Sequence, residues 1–252
     1  MKIRIFLSIS FLALAGCLLV IPNIINARAF SDPYTFDVNS SPYGIPFKDW
    51  TAKWSSWYFS IPKEKQWNNR DSTGYVPEDC SYLQDQTNPV FYMPFVGAEL
   101  GSKATMTCNV PQNKAILVPI DGATSDYSDP TVKTKTPNEL IRLLTQSNIY
   151  PVSFDLTLDG HPLSITNEEK YKVTSNLFDL VLPANNIWGE RPGPDKAITQ
   201  NWWVMLKPLP PGDHILHYFT GYRDSKSDPT IPPGQGNQSP YAQEVTYHIV
   251  VK

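Results

Sequence analysis

The chain has 252 residues, of which 41% are hydrophobic, and a formal net charge of −3. This hydrophobic content indicates a folded protein, and a mildly acidic chain without a basic run argues against nucleic acid as a partner. The length suits one domain with a real core, and the 24 prolines are typical of a β-protein with long loops.

The N-terminal segment 1–29 has the form of a secretory signal peptide. Two basic residues precede an uncharged stretch, Ile5–Ile25, and Ala27-Arg28-Ala29 then offers a small-x-small cleavage pattern. Two other interpretations remain open, an uncleaved membrane anchor and a chain lipidated at Cys17. All three predict that residues 30–252 lie outside the cytoplasm, secreted or anchored at the cell surface, and touch a membrane only through this segment.

Two cysteines, Cys80 and Cys108, remain beyond that segment. Two cysteines in an exported chain allow one pairing, so we predict a Cys80–Cys108 disulfide. The alternative is two free, buried thiols. Closing a loop of this length should stabilise the fold by roughly 3 kcal/mol.

A stripe of aromatic residues predicts an N-terminal helix between Pro46 and Pro62. Its apolar side chains recur at helical spacing, at Trp50, Trp54, Trp57, Tyr58 and Ile61. The stripe is expected to pack on a sheet, with a solvent-facing tryptophan platform as the alternative.

A second helix is predicted from Thr136. Thr136-Pro137-Asn138-Glu139 is a capping box with proline at the first helical position, and the helical pattern fades near Ser147.

The remaining apolar runs predict β-strands. Residues 152–159 alternate strictly and end in an Asp159-Gly160 turn, whereas residues 201–206 are apolar on both faces and suit a central strand. The other strands are expected at 115–120, 171–174, 177–182, 213–219 and 244–251. The long segment 221–242 between the last two is rich in Pro, Gly, Ser and Asn, which favours disorder over a functional loop.

Several segments in this order resemble a family of secreted bacterial and archaeal proteins whose function is not established. They are WTAKWSSWYFSIP (50–62), DSTG (71–74), CSYLQDQTNPVFYMPF (80–95), TCNVPQNKAILVPI (107–120), LDGHPL (158–163), PLPPGDHILHYFTG (208–221) and VTYHIVV (245–251). The resemblance implies export, a β-rich domain and paired cysteines, but no catalytic residues. Met106 stands where the family pattern has arginine.

Three histidines raise the question of a metal site. His214 and His217 are three residues apart, which on a strand places their rings on opposite faces, and His248 belongs to what could be the neighbouring strand. Ordinary hydrogen-bonded strand histidines are the favoured interpretation.

Three aspartates leave the strand predicted at 115–120, and we consider them as calcium ligands. Asp121, Asp126 and Asp129 could hold Ca²⁺ together with backbone carbonyls, although their spacing is not that of an EF-hand. Turn-forming and helix-capping roles are the alternative. We therefore predict no cofactor, with calcium as the one alternative.

No motif supports catalysis. Asp155 and Asp159 share a strand face but lie roughly 13 Å apart, which is too far for a glycosidase pair. The sequence contains no GxSxG, HExxH or P-loop.

Carbohydrate binding has a physical basis in aromatic residues placed in polar stretches. Trp67, Tyr75 and Trp188 could stack on sugar rings while neighbouring Asp, Asn and Gln side chains bind the hydroxyls. Alternatively, these rings cover sheet edges.

We therefore predict a mainly β protein, with residues 30–252 forming a single antiparallel β-sandwich that could be of jelly-roll type. It carries an N-terminal Trp-rich helix and one further short helix. The predicted function is a non-catalytic binding or structural module for extracellular carbohydrate or envelope components. The alternative is an extracellular hydrolase acting on polysaccharide.

Overall fold

Ten β-strands and two α-helices make up the part of the chain that the computed structural model describes, residues 32–67, 79–96, 103–147, 151–164, 168–222 and 242–252. The helices are α1 (Phe47–Phe59) and α2 (Pro137–Ser147). The strands are β1 (Val90–Tyr92), β2 (Lys103–Val110), β3 (Ala115–Asp126), β4 (Pro151–Leu158), β5 (His161–Pro162), β6 (Lys172–Thr174), β7 (Phe178–Leu182), β8 (Gly193–Leu206), β9 (Gly212–Tyr222) and β10 (Ala242–Val251).

The first sheet is built around β8. Its strand order is β1-β3-β8-β6, and β7 pairs with another part of β8. Residues 197–206 of β8 are buried without interruption, and Trp203 packs edge-on against Trp54 of α1 with ring centroids 5.1 Å apart. The prediction of a central strand covered on both faces is therefore confirmed, and the strand is longer than expected.

The second sheet has the order β2-β10-β9-β4-β5. β9 pairs antiparallel with both β10 and β4, and the β4–β5 hairpin turns at Asp159 and Gly160, both with positive φ. This turn was predicted from the Asp-Gly pair, since such turns need positive φ at both central residues.

The prediction of a mainly β fold is confirmed, but the sheets are mixed rather than wholly antiparallel. β1 runs parallel to β3, and β10 runs parallel to β2. A jelly roll has antiparallel sheets, so that form does not describe these pairings. The sequence could not reveal this, because the side chains of a strand alternate in the same way whatever the direction of its neighbour.

One hydrophobic core draws side chains from both sheets and from α1, which is consistent with the predicted sandwich. The aromatic stripe of α1 lies in this core, so the favoured interpretation of the stripe is confirmed and the platform is wrong. Each indole N–H of the stripe finds a backbone carbonyl: Trp50 donates to Pro42, Trp54 to Met93 and Trp57 to Tyr82, at 2.8–2.9 Å.

The α2 helix begins as predicted. The Glu139 carboxylate accepts hydrogen bonds from the Thr136 amide and hydroxyl, and the Glu139 amide donates to Thr136 Oγ1. Leu140 and Leu144 then pack with Ile198 of β8 in a second, smaller core.

β3 is longer than its apolar run. The strand bulges between Pro119 and Asp121 and continues to Asp126, so the prediction of an acidic loop from Asp121 is wrong. Gly122 allows this continuation, because a Cβ there would lie 2.2 Å from Asn201 Oδ1 on β8. A glycine in a strand is a common sign of such a close approach.

The Cys80–Cys108 disulfide is present, with the two Cα atoms 5.5 Å apart. It ties β2 of the second sheet to the segment that leads into β1 of the first. The predicted pairing is confirmed.

Some predictions fall outside the described residues, namely the signal segment 1–29, Tyr75 and most of the segment 221–242. Within the described residues, neither helix has the length and apolar character needed to cross a bilayer.

Candidate functional site

A pocket of about 350 Å³ lies where α1 begins, and three lysines line it. Its walls are formed by 38–41, 46–48, Lys170 and 172–174. We call it the lysine pocket. None of its lining residues is acidic, although the whole chain has a net charge of −3.

Short-range hydrogen bonds shape the wall that precedes α1. The Asp37 carboxylate accepts from the Asn39 amide, the Ser40 amide donates to the Asp37 carbonyl, and the Phe47 amide donates to the Ser40 carbonyl. Pro46 then starts α1 without a side-chain cap. The amide end of α1, the positive end of its dipole, therefore borders the pocket.

Lys172 is the most deeply buried cation of this pocket. It faces Trp202 across the β6–β8 pairing, and its ammonium lies 5.0 Å from the Trp202 ring centroid. Its side chain is only 10% exposed, and it forms an ion pair at 3.9 Å with Glu169, whose side chain is 76% exposed. Among the described residues this ammonium has no hydrogen-bond acceptor. Lys172 and Thr174 pair with Trp202 and Gln200, so their side chains lie on the face of β8 that packs against α2. The α1 helix packs against Trp203 on the opposite face.

The other two lysines differ in their partners. Lys170 pairs with Asp37 at 2.7 Å, and this hydrogen bond raises the pKa of Lys170 and lowers that of Asp37. Within the part of the chain that the structure describes, Lys48 donates to the neutral amide oxygen of Asn176, at 3.2 Å. Two of the three ammonium groups thus lack a hydrogen-bonded carboxylate among the described residues, so the pocket can hold an anion.

A second cleft, of about 570 Å³, lies at the end of the second sheet, beside Asp159, His214 and His248. The two ring nitrogens of His214 are bonded to Asp159 Oδ2 at 2.7 Å and to the Pro210 carbonyl at 2.9 Å. Burial lowers the pKa of His214, but these two hydrogen bonds outweigh it and the pKa is raised. Both nitrogens are occupied, so His214 fixes the β4–β5 turn rather than binding a metal.

The predicted metal sites do not assemble. His217 bonds to Glu244 on β10, and His248 lies on that neighbouring strand, as expected. Within the described residues, no group of three or more His, Cys, Asp or Glu side chains is placed to hold a metal ion.

The three aspartates of the calcium hypothesis are not brought together. Asp121 and Asp126 are five residues apart on one strand, or about 16 Å at strand rise. Asp129 accepts a hydrogen bond from the Thr131 amide, which is the turn-forming role considered as the alternative.

Asp126 instead lies beside Asp195 of β8, a residue that the sequence did not single out. Burial raises the pKa of Asp126, the Ser128 hydroxyl lowers it and Asp195 raises it again, giving a pKa of about 6. A proton on Asp126 supplies a donor to the Asp195 carboxylate, whose buried Oδ2 otherwise accepts no hydrogen bond among the described residues. The two carboxyl groups lie within hydrogen-bonding distance of each other. The two carboxyl groups of a glycosidase are farther apart, at about 5 Å or more.

The aromatic residues proposed for sugar stacking are not free platforms. Trp67 is 0% exposed and packs against Trp57 and Tyr58, so the prediction of an exposed ring is wrong for Trp67. Trp188 is half-buried and stacks on Phe59 with ring centroids 4.2 Å apart. Their polar flanking residues gave no indication that the rings return to the core.

The sequence also missed the lysine pocket. Lys48 and Lys172 are more than 120 residues apart, and only the pairing of β6 with β8 beside α1 brings them to one cavity. The only local sign of this pocket in the sequence was the spacing of Lys170 and Lys172, which are two residues apart.

Comparisons with known proteins leave the family open. No family model matches the chain, and no curated protein matches it. Among solved structures, similarity was found to a chain of the complex of PbICP-C with falcipain-2, at 11% identity and a TM-score of 0.24, covering 64% of this chain and 97% of that one. The cysteine protease inhibitor EhICP2 from Entamoeba histolytica was found at 14% identity and a TM-score of 0.19, covering 60% of this chain and 94% of that one.

Proposed function

We propose that this protein is a non-catalytic binding module that acts outside the cytoplasm and holds an anionic carbohydrate or envelope polymer in the lysine pocket. The observation that carries the proposal is a cavity lined by three lysines and by no acidic residue, in a chain whose net charge is −3. Such a group of cations favours an anionic ligand.

Two further features support this function. The disulfide is typical of proteins that fold outside the cytoplasm, in agreement with the signal-like segment 1–29. The burial of Trp67 and the stacking of Trp188 on Phe59 make charge, rather than aromatic stacking, the favoured means of recognition.

The test compares three polymers with the same backbone: cellulose, carboxymethyl cellulose and cellulose phosphate. Full-length protein is mixed with each material, and both the protein left in solution and the released reducing sugar are measured. A net charge of −3 opposes general adsorption to an anionic polymer, so retention requires a local site.

We expect retention on at least one anionic material, none on cellulose and no released sugar. Lys48→Gln, an exposed change at a residue that lines the pocket, should weaken retention at least threefold. Lys103→Gln removes the same charge from a lysine that is 78% exposed on β2, and it should bind as the wild type does. Equal retention of wild type and Lys48→Gln would refute the site, and released sugar would refute the non-catalytic assignment.

A further inference from the structure

β2 forms one edge of the second sheet, and among the described residues no strand pairs with its outer side. Its eight residues, Lys103–Val110, alternate strictly between exposed and buried side chains. The exposed ones are Lys103, Thr105, Thr107 and Asn109. The strand is therefore a long and regular edge.

The hydrogen bonds at the end of β2 show which backbone groups lie on this edge. The Lys252 amide donates to the Val110 carbonyl at 3.1 Å, so the backbone of Val110 faces β10. The N–H and C=O of one residue point to the same side of a strand, and successive residues alternate. The even-numbered residues therefore face β10, and the backbone groups of the odd-numbered, exposed residues face outward.

The disulfide does not cover this edge. Cys80 Sγ lies 3.4 Å from the Thr107 carbonyl oxygen, but Cys80 is 1% exposed and Cys108 belongs to the buried side of β2. Thr107 itself is exposed. The sulfur atoms therefore lie under the sheet, on the side of the core.

β2 lacks the features that usually protect an edge strand from pairing, which are shortness, proline, bulges and inward-pointing charges. It contains no proline, its register with β10 is continuous, and its inward side chains are uncharged. The strands at the other ends of the two sheets are short: β5 has two residues, one of them Pro162, and β1 and β6 have three each. This contrast points to a partner for the edge of β2.

A second copy of the chain fits this edge because β2 is self-complementary in an antiparallel pair. A two-fold axis at Met106 places Thr105 opposite Thr107 of the second copy. It also places Lys103 opposite Asn109 of that copy. Cross-strand threonine pairs are favourable, and the outward residues of both copies would exchange about eight hydrogen bonds. Lys103, the one charged residue of β2, meets no like charge, since its two copies would lie about 20 Å apart.

We propose that the chain forms a two-fold symmetric dimer in which the two β2 strands pair antiparallel and join the second sheets of both copies into one continuous sheet. The dimer goes beyond the proposed function and is independent of it, because β2 contributes no residue to the lysine pocket.

Sedimentation equilibrium of the full-length protein, in a detergent whose density matches that of the solvent, measures the mass of the protein alone. We expect a reversible equilibrium between monomer and dimer without larger species, because pairing of the two edges closes the contact. A monomer mass at every protein concentration would overturn the proposal.

Two variants assign the dimer to the edge of β2. Thr105→Pro removes an outward N–H that β10 does not use, so it should keep the fold and raise the dissociation constant of the dimer at least tenfold. Thr107→Lys places a positive charge close to Lys103 of the second copy and should have an effect of similar size, which keeps the test decisive if Thr105→Pro unfolds. The control Thr246→Lys adds the same charge to the inner strand β10, on the same face, and should stay within twofold of the wild type.

Oxidative cross-linking tests the register. Thr105→Cys and Thr107→Cys proteins, both carrying Cys17→Ser, are oxidised separately and as a mixture. The proposed register places the two positions directly opposite, with Cα atoms about 5.5 Å apart, which a disulfide can bridge. In either protein alone the thiols are diagonal neighbours about 7–8 Å apart, so the mixture should cross-link at least fivefold faster.

The contrary results are distinct. A dimer that Thr105→Pro and Thr107→Lys leave unchanged would show that the copies associate through another surface. Equally fast cross-linking in the separate proteins and in the mixture would overturn the register with Met106 on the axis. Neither result bears on retention by anionic cellulose, which tests the lysine pocket separately.

Discussion

The Asp126 carboxyl group makes the stability of this fold depend on pH. The pKa of Asp126 rises from an ordinary value of 3.8 to about 6 in the folded protein, so folding favours the protonated form. The free energy of unfolding should therefore decrease as the pH rises from about 4 to about 6, and it should stay lower above that range.

Asp126→Asn should remove this dependence. An asparagine can still accept from Ser128, and its amide can donate to Asp195 without a bound proton. We expect the free energy of unfolding at pH 7.5 to increase by ~1–3 kcal/mol, measured by urea denaturation. The control Asp129→Asn, in an exposed turn, should change it by no more than about 0.5 kcal/mol. A less stable Asp126→Asn protein at pH 7.5 would contradict this account.

The His214–Asp159 pair should act in the opposite pH direction. The pKa of His214 is raised, so its contribution is complete below pH 6.5 and is lost as the pH rises through the folded value. Burial raises the pKa of Asp159, but hydrogen bonds from His214 and the Ile215 amide outweigh it. The Asp159 contribution is therefore lost only as the pH falls through a value below 3.8. The nearby charges of Asp213 and His161 act on the same pair.

Asp159→Asn should lower the free energy of unfolding at pH 6 by up to about 1 kcal/mol, and by less at pH 8.5, where His214 carries less positive charge. Urea denaturation at both pH values measures the difference. Asp155→Asn, on the exposed face of the same strand, is the matched control and should show no such change. Equal losses at both pH values would show that His214 is not the titrating partner.

At the scale of elements, α1 serves as a core helix. Trp54→Ala should cost about 3–5 kcal/mol, because it leaves a cavity between Trp203 and Tyr58 and an unpaired Met93 carbonyl. Lys53→Ala, on the exposed side of the helix, should be nearly neutral. Chemical denaturation measures both, and a neutral Trp54→Ala would restore the exposed-platform interpretation.

The elements that the sequence predicted well are those set by local signals. The capping box of α2, the prolines around α1 and the Asp159-Gly160 turn act over a few residues, and each is found where expected. The continuation of β3 depends on a bulge and on the approach of Gly122 to Asn201, which a local pattern does not contain.

The candidate site was less predictable for the same reason. Its charges come from the start of α1 and from β6, and their proximity depends on the strand pairing of the first sheet. For Trp67 the local pattern was misleading. Its polar neighbours predict an exposed loop, but its ring packs in the core.

At the scale of the whole molecule, the disulfide joins β2 of the second sheet to the segment that leads into β1 of the first. Replacing both Cys80 and Cys108 by serine should lower the free energy of unfolding by about 3 kcal/mol, through the freedom gained by the unfolded chain. Thermal and urea denaturation of the variant and of reduced wild type should agree. A change below about 1 kcal/mol in both would show that the bridge adds little to the stability of the fold.

The distribution of charge is the second whole-molecule feature. The chain is acidic overall, yet the lysine pocket has three cationic and no acidic lining residues. The proposed binding of an anionic polymer therefore cannot rest on long-range attraction and depends on contacts made inside this pocket.

An NMR titration of the isotope-labelled, full-length protein with a phosphorylated cello-oligosaccharide tests this claim most directly. We predict saturable amide shifts concentrated at Ser40, Ser41, Lys48 and 172–174, with no such shifts from the unphosphorylated oligosaccharide. Shifts that centre instead on the His214 cleft or on the exposed lysines Lys103 and Lys196, or no shifts at all, would contradict the account.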